Sequence, residues 1–105
     1  MPANEAKFAV GRVVHHRKFG YRGVIVDVDP EFSGSEAWYQ VMARSRPPRD
    51  KPWYHVLVHD HTHRTYVAER HLEPDPSGEQ IDHPELGLFF DTFVNGHYRV
   101  AGRRA

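Results

Sequence analysis

The sequence predicts a mainly β chain, folded as a small antiparallel barrel with a helix inserted between its second and third strands. Three observations carry that expectation. A glycine-bracketed turn, Gly20-Tyr21-Arg22-Gly23, runs straight into an alternating apolar strand that stops at Asp29-Pro30. Further short runs of β-branched and aromatic residues lie close by, with turn signals between them. No helix recurs between those runs, as a parallel α/β sheet would require.

A first strand is expected over residues 10–15 and a second over residues 23–29. In the second, Val24, Val26 and Val28 fall on one face and Asp27 and Asp29 on the other, because side chains alternate along a strand. The valines read as core and the aspartates as rim. Gly20 and Gly23 are expected to take the positive φ angles of a tight connection. Residues 33–44 read as a helix capped by Ser35, with Trp38, Val41 and Met42 on one face. It ends where Arg46-Pro47-Pro48-Arg49-Asp50-Lys51-Pro52 forbids a helix. Strands three and four are expected over residues 53–60 and 65–69, followed by a proline-rich loop over 73–79. Pro84 then opens a second helix, which sets Leu86, Phe89, Phe90 and Phe93 at helical spacing.

A chain of 105 residues without a composition break makes one domain over 1–105: a barrel over about 8–72, the insertion over 33–51 and a tail over 73–105. The absence of cysteine removes disulfides and thiolate metal sites, which fits a reducing cytoplasm. The start, Met1-Pro2-Ala3-Asn4-Glu5-Ala6-Lys7, has no basic segment followed by an apolar one, so no secretory signal is expected, and no aliphatic run is long enough to enter a membrane. Basic and acidic residues balance at 14 each, but residues 1–53 hold 9 Lys/Arg against 6 Asp/Glu and residues 54–105 hold 5 against 8. Glu73, Asp75, Glu79, Asp82, Glu85 and Asp91 form an acidic run with no interleaved cation. A neutral chain lacks the whole-molecule positive field of most nucleic-acid binders.

Chemistry has few candidates. His59, His61 and His63 alternate as zinc ligands can, but Asp60, Thr62 and Arg64 make the stretch a polar hairpin loop, and no metal or other cofactor is expected. No nucleophile motif, phosphate loop or paired-carboxylate spacing appears, and a barrel this small is filled by its own side chains, so the chain is not expected to be an enzyme. Two sets of residues suit binding. Arg12, Arg17, Lys18 and Arg22 near the first turn, with Arg44, Arg46, Arg49 and Lys51 after the helix, could neutralise phosphates if the fold brings both clusters to one face. Tyr21, Trp53, Tyr54, His55, Phe89, Phe90 and Phe93, with Trp38 and Tyr39, supply more aromatic surface than a small barrel can bury, and aromatic residues are what protein interfaces use at their centres.

Three blocks in order, Gly20-Tyr21-Arg22-Gly23-Val24-Ile25-Val26-Asp27-Val28-Asp29-Pro30, Pro52-Trp53-Tyr54-His55-Val56-Leu57-Val58 and Thr65-Tyr66-Val67-Ala68-Glu69, resemble the heat-shock protein HspQ family, also called the hemimethylated-DNA-binding (YccV-like) domain. The resemblance runs over about residues 8–72. It implies an SH3-like barrel in the bacterial cytoplasm and a small homo-oligomer such as a trimer. It also implies two activities. One is binding to hemimethylated DNA near the replication origin. The other is a stress-response accessory role that promotes ATP-dependent proteolysis of particular proteins, the replication initiator among them. The helix-bearing insertion and the phenylalanine-rich tail lie outside the matching blocks. The surplus of aromatic residues on a neutral chain favours the accessory, adaptor-like reading, with the protease and its clients as partners. Hemimethylated DNA binding is the alternative, and a metal-dependent enzyme built on the histidine loop a remote third.

Overall fold

The computed structural model describes residues 5–101. Strands β1 (Val13–His16), β2 (Arg22–Asp29), β3 (Trp53–Val58), β4 (Arg64–Ala68) and β5 (Leu72–Pro74) form one antiparallel sheet in the order β4-β3-β2-β1-β5. Its outer strands, β4 and β5, are not paired with each other. The sheet is therefore open in its hydrogen bonding, while a 3-10 turn, Glu69–His71, carries the chain from one edge to the other. Glu73 and Pro74, expected in a loop, instead pair with His15 and Val14.

The alternation expected along β2 breaks at a bulge. Ile25 pairs with Val56, but the next paired residue is Asp27, opposite His55, so Val26 is the extra residue. Val24 and Val26 stay on one face with Val13 and Leu57. Val28 crosses to the other face, packing with Ile25, Val14, Tyr54 and Val56. Both faces of the sheet are thus core. Gly23 also departs from expectation: among the positive-φ glycines Gly20 is found at 77°, and Gly23 is not one of them. A Cβ at Gly23 would lie 2.6 Å from the Leu57 carbonyl oxygen and overlap Val56, so this position needs glycine for close strand contact.

The second face is covered by two later additions. Helix α1 (Glu36–Met42) starts at Ser35, whose side chain accepts the Trp38 N–H at 3.0 Å. It buries Tyr39 and Ala43 against Trp53 and Ala68, with Trp38 partly covered. Val41 and Met42, expected on one apolar face with Trp38, are 65% and 61% exposed. The phenylalanine-rich tail is a hairpin where a helix was expected. Only Leu86–Phe89 is helical (α2), and β6 (Phe90–Val94) and β7 (His97–Val100) follow as a pair. Asn95 and Gly96 turn the chain with φ of 53° and 79°, the left-handed pair that such a two-residue connection requires. The hairpin is tied down where the Tyr98 N–H donates to the Gly11 carbonyl at 2.9 Å, and Phe90 and Tyr98 pack on Val13, Val24 and Leu57. No helix among the described residues is long and apolar enough to cross a membrane.

Candidate functional site

A groove of about 440 Å³ lies beside β4. Its floor holds Trp53, His55, Tyr66 and Ala68. One wall is the β1–β2 turn, with His16, Lys18, Phe19 and Tyr21, and the other is the end of α1 and the loop after it, with Trp38, Met42, Arg44 and Ser45. Phe19 is 71% exposed, so an apolar ring and the Met42 side chain face solvent across the groove. Arg64, Thr65 and Val67 complete the lining, as does His71. No aspartate or glutamate lines it.

Local chemistry holds these walls in place. Trp53 donates Nε1–H to the Pro48 carbonyl at 3.0 Å, which fixes the indole under the proline-rich loop. Tyr66 donates its hydroxyl to Asp29 Oδ2 at 2.7 Å and accepts the Ser33 N–H at 2.9 Å, joining β4 to the end of β2. Burial, and then the Asp29 carboxylate, push the Tyr66 hydroxyl's pKa above its ordinary value. Tyr21 and Thr65 share a hydroxyl hydrogen bond of 2.7 Å between the β1–β2 connection and β4. Across the floor Trp53 and Tyr66 lie 5.2 Å apart, and His55 and Tyr66 4.6 Å apart.

The eight basic residues do not form a single anion-binding face. Lys18 and Arg44 reach the groove. Arg22 is committed elsewhere: its Nε meets Asp75 Oδ2 at 2.9 Å and an Nη donates to the Glu79 carbonyl at 2.6 Å. Although burial raises it, the Asp75 carboxyl is held below its ordinary pKa by hydrogen bonds from Ser77 and Arg22. Arg17 lies 3.5 Å from Glu73. Arg46 donates to the Ala43 carbonyl at 2.9 Å and so caps the end of α1. Arg49 forks onto Glu36 and stacks 3.8 Å above the Tyr39 ring. Arg12 is half-buried, and Lys51 borders a separate, smaller depression with Lys7 and Glu69.

The aromatic set divides more sharply. Tyr21, Trp53 and His55 belong to the groove. Tyr54 is fully buried, its hydroxyl donating to Glu69 and accepting the Phe8 N–H at 3.3 Å. Phe90 is buried under the hairpin, and Phe89 and Phe93 pack half-buried against the same cluster. Phe19, Tyr66 and Met42 were not singled out as site residues from sequence. Nothing in their local sequence marks them; the fold brings them together from positions far apart in the chain.

Metal ligation has one geometric candidate among the described residues, Asp27, Asp29 and His55, whose ligand atoms lie within 4.8 Å of one another. That grouping is a product of the bulge, which aligns Asp27 with His55. Two of its members already bond each other, with His55 Nε2 3.1 Å from Asp29 Oδ2. His59 is drawn away to the Asp82 N–H, which donates to its Nδ1 at 2.8 Å, while the His61 and His63 rings sit 5.0 Å apart on the exposed loop.

A family model described as hemimethylated DNA-binding protein YccV like matches residues 6–97. The chain belongs to that family. The YccV-like match takes in the insertion and most of the tail, so α1 and β6 fall within the family's span, which ends at His97, the first residue of β7.

Proposed function

We propose that this YccV-like chain is a non-catalytic accessory protein, which captures a segment of a partner protein and promotes its ATP-dependent proteolysis. The observation that carries this reading is the groove along β4, which exposed Phe19 and Met42 line together with the aromatic rings of Trp53 and Tyr66. Duplex DNA offers its phosphates on a convex surface and gains little from such a recess, whereas aromatic recesses are where protein partners seat their anchors. The one hydroxyl–imidazole pair in the groove, Ser45 Oγ and His71 Nε2 at 2.9 Å, does not argue for an enzyme. Burial and then the nearby charges of Arg70 and Lys18 lower the His71 pKa, the reverse of what a carboxylate partner does for a catalytic histidine.

The test is reconstituted degradation of heat-stress clients by ATP-dependent proteases, in nuclease-treated reactions with and without the chain. Faster client loss that Phe19→Glu abolishes supports the reading. No acceleration by any protease of the set, or acceleration only when DNA is present, overturns it.

Hemimethylated DNA binding is the second reading, favoured by the family's description and by the exposed Lys18 and Arg44. With zero formal net charge, affinity should be weak, fall steeply with salt and depend little on methylation. A strong preference for the hemimethylated duplex at physiological salt would put this reading first.

A further inference from the structure

Consecutive side chains of a strand point to opposite faces, so a concavity lined only by alternate residues lies over a sheet face. The groove is lined by every residue of β4, Arg64 through Ala68. It therefore reaches the strand's edge as well as the sheet face that carries Trp53 and His55. Among the described residues no strand pairs with that edge, since β4 stands at the end of the sheet with β3 as its one neighbour. A free edge presents backbone N–H and C=O groups that a further strand can satisfy, and native proteins usually blunt such an edge or use it.

We propose that the groove binds an extended acidic peptide, which adds to β4 as a sixth strand and seats an apolar side chain between Phe19 and Met42. The proposal rests on the protein-partner reading above and names the chemistry of that partner. Sign is decided by the lining, which holds the cations Lys18, Arg44 and Arg64 and no carboxylate, while His16 is neutral and His55 is bonded to Asp29. Arg64 is partly offset by Glu85, whose Oε1 lies 3.3 Å from its Nε, which leaves Lys18 and Arg44 on opposite walls as the main attraction. A second copy of this chain is a poor source of the acidic segment, because three of the six carboxylates in its acidic run are held by cations of the same fold. Glu73 meets His15 at 2.8 Å, Asp75 meets Arg22 and Glu85 meets Arg64. Five residues of β4 span about 17 Å at about 3.4 Å each, enough to pair a peptide of similar length.

The experiment measures fluorescence anisotropy of the full chain with a fluorescein-labelled heptapeptide alternating Glu with Leu and Phe. Companion probes are its Lys-for-Glu counterpart, two versions N-methylated at the odd or the even residues, and a single-stranded oligonucleotide of equal charge. The acidic peptide should bind at least tenfold more tightly than the Lys version. One N-methylated version should lose at least tenfold and the other little, since only one set of amides faces a pairing strand. Arg44→Glu with Lys18→Glu should weaken binding at least tenfold at unchanged Tm. Equal binding of the Lys peptide, equal tolerance of both N-methylated versions, or tighter binding of the oligonucleotide would each overturn the proposal. If the double variant still accelerates proteolysis fully, the edge proposal fails while the accessory function stands; if the wild-type chain accelerates nothing, the function itself fails.

Discussion

The imidazole of His16 lies stacked on that of His71, with ring centroids 5.6 Å apart and planes 9° from parallel. His16 Nδ1 also accepts the N–H groups of Lys18 at 3.1 Å and Phe19 at 3.0 Å. A nitrogen that accepts two donors carries no proton, so the β1–β2 turn, one wall of the groove, is built on the neutral ring. Burial, followed by the charges of His71, His15 and Lys18, lowers the His16 pKa from 6.5 to about 4. The sign follows from linkage: the unfolded chain takes up the proton first, so this stabilisation is complete above about pH 6.5 and is lost as pH falls toward 4. Thermal melts should show Tm dropping across that window. His16→Gln, which keeps an acceptor without a titrating ring, should show a smaller drop; equal slopes for the two proteins would remove His16 from the account.

Gly23→Val should lower stability by about 1–3 kcal/mol or more in urea unfolding, because its Cβ would press on the backbone of β3 in the middle of the sheet. Gly20→Ala is the control for backbone strain alone. Its φ is 77° and its Cβ would meet nothing within 4 Å, so a cost of about 1 kcal/mol is expected. A larger loss at Gly20 than at Gly23 would contradict the close-contact explanation.

Four strands and the Ser35 cap were legible because each rests on local chemistry: alternation, β-branching and a side-chain oxygen before the first turn. Failures came where tertiary contacts overrode a local pattern. The bulge at Val26 moved Val28 to the opposite face, and a bulge leaves no mark in a run as uniformly apolar as Val24-Ile25-Val26. Leu86, Phe89, Phe90 and Phe93 fit a helical spacing, but Asn95-Gly96 was the stronger signal, and it places Phe90 and Phe93 in a hairpin. The groove was the least legible part. Its walls come from residues 16–21, 38–47 and 64–71, and no short-range pattern links them.

The hairpin gives the aromatic tail a core role that can be measured. Phe90→Ala should cost about 3–5 kcal/mol, because the ring is 6% exposed and packs with Val13, Val24 and Leu57. Phe93→Ala should cost less, since Phe93 is half-buried and lies 4.6 Å from the Tyr98 ring. Sedimentation of the same variants separates this role from self-association. A lower sedimenting mass at unchanged Tm would show that these rings pack between chains.

Tyr66 couples the floor of the groove to the rest of the fold, and Tyr66→Phe tests that coupling with the ring left in place. The hydroxyl donates to Asp29 and accepts from Ser33, so its loss frees the start of the insertion and leaves Asp29 with His55. Removing a hydrogen bond to a charged group costs about 1.5–3 kcal/mol, and here the carboxylate can partly recover it from water. A stability loss of about 1–2 kcal/mol is therefore expected in urea unfolding. Trp53 and Trp38 pack against the same ring, at 5.2 and 5.6 Å, so their fluorescence reports whether the floor has moved. The spectrum of the folded variant should match that of the wild type, because the ring still fills its place. A spectral shift without loss of stability would mean that the hydroxyl positions the floor but does not hold β2 and β4 together.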